Sequence, residues 1–172
     1  MATTYEKIAT TTLSSAAAFT TFSSISGSYT DLVCIANVQV NIGGGPVVTF
    51  NSDTGSNYSI TRLYADGSSV ASNRSGNVTN MDLGTGGQAS ITANQYSPYI
   101  FHFMNYSNST TYKTSLLRLS SAGGGFGGLG EIDQCVGLWR NTNAITTITL
   151  TCNNSRNFQA GSTFTLYGIL KA

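Results

Sequence analysis

The chain has 172 residues, a hydrophobic fraction of 40%, a charged fraction of 9% and a net charge of +1. That length and apolar content suit one domain with a real core, and so weak a charge offers no clustered Lys and Arg for nucleic acid or an anionic membrane. Three cysteines, Cys34, Cys135 and Cys152, lie far apart without CxxC spacing, which points to neither a zinc knuckle nor a disulfide framework and assigns them to the core.

Gly, Ser, Thr and Asn fill the places that Lys and Glu usually take, a composition suited to strands and turns rather than helices. The stretch from Met1 to Ile8 has neither a basic leader nor an apolar core, and no later apolar run is long enough to cross a bilayer. The expectation is a soluble protein made in a cytosol.

In chain order, Tyr5 to Leu13 reads as a first strand and Ser14 to Ala18 as a short link. Phe19, Phe22 and Ile25 mark a second strand, ending at Ser26-Gly27-Ser28. The longest strand candidate runs from Tyr29 to Val40: Leu32, Cys34, Ala36, Val38 and Val40 share one face, with Val33 and Ile35 on the other. It is expected to be central where both faces are apolar. After the break from Asn41 to Pro46, Val47, Val48 and Phe50 end one strand and Tyr58, Ile60, Leu63 and Tyr64 begin the next. Between them the chain must reverse: Asn51, Asp53 and Asn57 can bond nearby backbone amides, and Gly55 can supply a positive φ.

From Asp66 to Asn94 the sequence is polar and rich in turn signals, so short strands and long loops are expected. Tyr99 to Tyr106 and Tyr112 to Leu119 flank Ser107-Asn108-Ser109-Thr110 as a hairpin. A glycine loop from Ser121 to Gly130 precedes Cys135 to Arg140, and the stretches Ala144 to Cys152 and Thr163 to Leu170 close the chain. About ten strands without a helix or a fixed repeat predict an all-β, antiparallel, jelly-roll-like β-sandwich spanning residues 1–172 as one domain.

Nothing in the sequence arranges residues for a reaction. His102, the only histidine, has no Cys, Asp or Glu close in sequence and cannot make a metal site alone. Serines abound, yet no nucleophile elbow accompanies them. Glu131 and Asp133 are the only close carboxylate pair; their spacing puts both on one face of a strand, as glycoside cleavage would need, although a solvated loop edge is the simpler reading. Asn51, Asp53 and Asn57 loosely resemble a calcium loop, but Arg62 stands where its closing Glu belongs, which favours turn capping. The glycine loop lacks the Lys-Ser/Thr ending of a P-loop and no helix follows it. No catalytic residue, cofactor or metal is therefore expected. Phe126 and Leu129, apolar side chains on that loop, suit insertion into a neighbouring subunit or a fold back over their own core. Trp139 is likewise either a core anchor or an interface anchor, and with Tyr5 near the N-terminus these residues form the expected subunit or shell interface.

Three stretches carry a family resemblance. They are Tyr5-Glu6-Lys7-Ile8-Ala9 with Phe22-Ser23-Ser24-Ile25 and Tyr29-Thr30-Asp31-Leu32; the segment from Phe50 to Ser59; and the ending from Phe158 to Ile169, with Asn105-Tyr106 and Lys113 also in place. In this order and spacing the chain resembles a family of tailed-bacteriophage virion proteins found as tail-fibre or other surface domains. The resemblance implies a β-sandwich, usually trimeric, exposed on a virion, and it carries no binding residues. Unlike long fibre proteins the chain has no coiled-coil or collagen-like shaft. The expectation is a non-enzymatic capsid decoration or cement protein, partnered by itself as a homotrimer and by the major capsid protein. The alternative is a tail-fibre module that binds host-surface glycans.

Overall fold

The computed structural model describes residues 4–82, 89, 91–121 and 130–170. Eight strands lie side by side, every neighbouring pair antiparallel: β1 (Tyr5–Thr12), β11 (Thr163–Ile169), β3 (Asp31–Val38), β7 (Ser97–Met104), β8 (Lys113–Ser121), β9 (Glu131–Trp139), β5 (Tyr58–Ala65) and β6 (Val70–Val78). Three more, β2 (Phe19–Phe22), β10 (Ile148–Cys152) and β4 (Pro46–Phe50), form a smaller antiparallel sheet in that order. The result is an all-β antiparallel sandwich of eleven strands in unequal layers, with no helix among the described residues.

Alternation in the sequence decides which side of each strand faces inward. Along β7, β8 and β9 every second residue is buried, and the apolar ones among them, such as Phe101, Phe103, Leu117 and Trp139, join Val48, Phe50, Ile148 and Leu150 from the small sheet in one core cluster. Phe50 sits at its centre, with ring centroids 5.2 Å from Phe103, 5.4 Å from Trp139 and 6.2 Å from Tyr58. The edge-to-face contact with Phe103 brings the positive rim of one ring to the negative face of the other. Cys34, Cys135 and Cys152 are buried and unpaired, and burial pushes their thiols up to about 12, 12 and 11. They stay protonated and fill core volume.

β3 occupies an interior position between β11 and β7, and Leu32, Cys34, Ala36 and Val38 on its inner face are fully enclosed. Its outer face is less covered than expected: Val33 is buried but Ile35 is exposed. The β7–β8 hairpin forms in the expected place, pairing Tyr99 with Leu119 and Met104 with Thr114.

Two expectations need correction. The expected strand-loop-strand unit after Phe50 joins the two layers, β4 belonging to the small sheet and β5 to the large one, so the chain crosses the core there. The positive φ angles of this crossing fall on Asn51 (50°) and Ser52 (58°) rather than on Gly55. Gly55 is needed for space, since a Cβ there would stand 2.9 Å from Asn57 Nδ2 and 3.1 Å from Asp53 Oδ1. The polar stretch after Asp66 also holds more strand than loop at its start, because β6 is nine residues long. β6 ends the sheet with nearly every residue exposed, so no apolar face marks it in the sequence.

Phe50→Ala opens a cavity under both layers. It is expected to cost about 3–5 kcal/mol, read as a lower urea midpoint with an unchanged slope.

Candidate functional site

Polar side chains at the end of the sandwich that holds the β4–β5 crossing are spent on holding loops. The Asp53 carboxylate accepts Gly55 N–H at 2.8 Å, Asn57 Nδ2 at 2.9 and 3.2 Å and the Trp139 indole N–H at 2.7 Å. Burial alone would raise this carboxyl, but the bonds from Trp139, Asn57, Gly55 and Asn141 outweigh it and hold it below the usual carboxylate range. Asn51 reaches further than a local turn: its Oδ1 accepts the Thr146 and Thr147 N–H groups at 2.9 and 3.0 Å while its Nδ2 donates to Ala144 O at 2.8 Å. Lys113 is buried and donates through Nζ to the carbonyls of Thr111 and Thr142 at 2.7 and 3.0 Å. Among the described residues no three His, Cys, Asp or Glu are grouped so as to hold a metal ion.

Glu131 and Asp133 are not a solvated loop edge. β9 starts at Glu131, so both point inward and are buried, and Arg62 on the inner face of β5 supplies the countercharge. Its Nη2 donates to Glu131 Oε1 at 2.7 Å and to both Asp133 oxygens at 2.8 Å, while the Tyr64 ring lies 4.0 Å from the guanidinium carbon. Two carboxylates share one cation. Burial and the neighbouring Asp133 charge push Glu131 up to about 7 against the pull of Arg62, and burial raises Asp133 too, opposed by its Arg62 bonds. A glycosidase pair must face each other across room for a sugar; here one guanidinium nitrogen bridges both acids inside the protein.

The outer face of the large sheet is built differently. Register places Ile35, Ile100, Arg118, Gln134, Leu63 and Ser72 in one cross-strand row. The next row carries Lys7, Tyr167, Val33, His102, Leu116, Val136, Thr61 and Arg74. Ile35, Leu63, Val70, Leu116, Ile132 and Val136 are all exposed on this sheet. A shallow trough of about 550 Å³ lies over Ile100, Leu116, Val136 and Leu63, edged by His102, Arg118 and Gln134. His102 has a partner that its sequence neighbours do not supply: Nε2 lies 3.2 Å from Asp31 Oδ2, and Asp31 Oδ1 accepts Asn105 N–H at 2.6 Å.

Of the four expected interface residues, the two that are described lie apart. Tyr5 is exposed on the terminal strand β1, with its ring 6.4 Å from that of Tyr167. Trp139 is fully enclosed and takes the core place of its two alternatives; a side chain without surface has none to offer a neighbour in this chain. Phe126 and Leu129 lie outside the described residues. Sequence reasoning missed Arg62, Leu63, Leu116 and Val136. The available signal was apolar residues at outward positions of strands whose inward positions were already apolar, as in Leu116-Leu117 and Cys135-Val136.

Compared with known proteins, the chain matches no family model, no curated protein and no solved structure. The family resemblance therefore rests on the three stretches quoted above.

The carboxylate pair sets a pH dependence. Glu131 holds its proton up to about 7 when folded against an ordinary value of 4.5, so the unfolded chain releases that proton first as pH rises. Its contribution to stability is greatest below the ordinary value, declines between the two and levels off above the upper one. Urea unfolding of the wild type and Glu131→Gln across this range checks the sign. The stability difference, wild type minus variant, should fall with rising pH, and a rising difference would contradict the assignment.

Proposed function

We propose that the chain is a non-enzymatic structural protein on a bacteriophage virion, a capsid decoration or cement protein that assembles as a homotrimer on the head shell. The apolar outer face of the eight-stranded sheet carries this reading. A rigid sheet presenting Ile35, Leu63, Leu116, Ile132 and Val136 to solvent is the chemistry of protein contact rather than of a reaction. From β3 to β6 that face is six strands wide. Strand spacing makes it roughly 600 Å², close to the roughly 800 Å² that each partner commits to a standard interface.

The resembling stretches support the reading from another direction. They fall on β1, on the approach to β3, on the crossing after Phe50 and on β11, and β1, β11 and β3 are neighbours in the large sheet. What resembles the virion family is thus the frame of the sandwich. One observation favours the alternative, a tail-fibre module that binds host-surface glycans. Tyr112 is an exposed aromatic beside the turn that Asn108 caps through the Thr110 and Thr111 N–H groups.

Cryo-electron microscopy of intact particles separates the two. Density for this sandwich, in threes, at symmetric positions on the head shell is the expected outcome; density only at the tail tip would overturn it and favour the glycan module. Light scattering of the purified chain should give a particle three times its 18.1 kDa mass.

A further inference from the structure

We infer that the outer face of the large sheet docks an acidic, apolar-striped surface of a different protein, and not a second copy of this chain. The inference rests on the reading of that face as a contact surface, and it names the partner's chemistry. The chain has seven carboxylates, and each already has a partner within the chain. Glu131 and Asp133 hold Arg62, Asp53 holds the Trp139 indole and Asp31 holds His102 and the Asn105 N–H. Asp66 caps the Ser68 and Ser69 N–H groups, Asp82 accepts the Asn153 amide and Glu6 bonds the Tyr29 hydroxyl.

Of the eight Lys and Arg, six lie on the strands of the large sheet or at its loop end, and these divide the other way; Arg156 stands in the loop after β10. Arg62, Lys113 and Arg140 are tied to acceptors within the chain. Lys7, Arg74 and Arg118 are exposed on the outer face, aligned by register with Tyr167, Thr61 and Ile100, and none bonds a described residue. Against Asp31, already bound, the face carries an excess of positive charge among aliphatic side chains. A second copy brings only carboxylates that already carry an internal bond, whereas an acidic partner brings unpartnered ones. A different protein with exposed Glu or Asp between apolar residues would meet Arg118 and Arg74 while covering Leu63, Leu116 and Val136. The three cations stand on β8, β6 and β1 with aliphatic residues between them, a spacing that does not follow a phosphate backbone. The trough beside Arg118 has no Tyr, Trp or Phe in its lining on which a sugar ring could stack.

Fluorescein-labelled peptides that alternate Glu with Leu or Lys with Leu test this by anisotropy against the full chain, at low and high salt. The expected result is binding of the Glu peptide, weakened by salt, with little binding of the Lys peptide. The exposed double variant R74E/R118E should lose about tenfold in affinity for the Glu peptide and gain the Lys peptide. Equal binding of both peptides, an unchanged preference in the variant, or tighter binding of a DNA oligonucleotide of equal charge would overturn the proposal. So would sedimentation showing self-association that Leu116→Ser abolishes, because the occupant would then be a second copy. The particle map reads location without reference to charge, so failure of the virion reading and failure of this one are separately visible.

Discussion

The Asp53 carboxylate is the constraint on which the rest of the sandwich depends. It stands where the chain passes from the small sheet to the large one, and it bonds Trp139, the last residue of β9. The crossing from β4 to β5 is thereby tied to the strand that pairs with β5. Tyr58 completes the closure, its hydroxyl accepting Phe50 N–H at 3.0 Å and donating to Asp53 O at 3.0 Å. The aromatic cluster of Phe50, Tyr58, Phe103 and Trp139 then packs beneath a loop whose polar groups are satisfied by side chains. A buried indole N–H and a turn of left-handed residues are each costly alone. Together with the carboxylate they stabilise one another.

This pattern of internal satisfaction shapes what the surface can do. Polar side chains that sit near the loops, such as Asn51, Asn108 and Lys113, are engaged in capping or in holding backbone carbonyls. Glu131 and Asp133, the acids that looked most like chemistry in the sequence, are held by Arg62. Among the described residues one broad face is left uncovered: aliphatic residues with Arg74, Arg118 and Lys7 among them. The described side-chain carboxylates each carry a bond within the chain, while Lys7, Arg74 and Arg118 stand unbonded to any described residue on an apolar sheet.

Much of the fold was legible because burial writes period-two alternation into strands with one covered face. β7 shows it, as does the inner face of β3 from Leu32 to Val38, whereas the start of β9 hid it by placing Glu131 and Asp133 inward and Ile132 outward. β6 was not legible, since a terminal strand exposed on both sides imposes no apolar positions on Val70–Val78. The candidate site was harder to see. Arg62 is 69 residues from Glu131 and His102 is 71 from Asp31, so neither pair leaves a local motif. The outer face is assembled by the register of strands that are distant in sequence, and Leu63, Leu116 and Val136 looked individually like ordinary strand residues. Gly55 shows the same limit on a smaller scale: its position in a turn was evident, but its reason is the approach of Asp53 and Asn57, which only three dimensions reveal.

The central claim, that the outer face of the large sheet is the working surface, is tested most directly by hydroxyl-radical footprinting of the chain free in solution and in place on its particle. The account predicts that Leu63, Leu116, Ile132 and Val136 lose labelling on the particle while Tyr112 at the loop end keeps it. Unchanged labelling of the sheet face, with protection confined to Tyr112 and the loops around it, would contradict it.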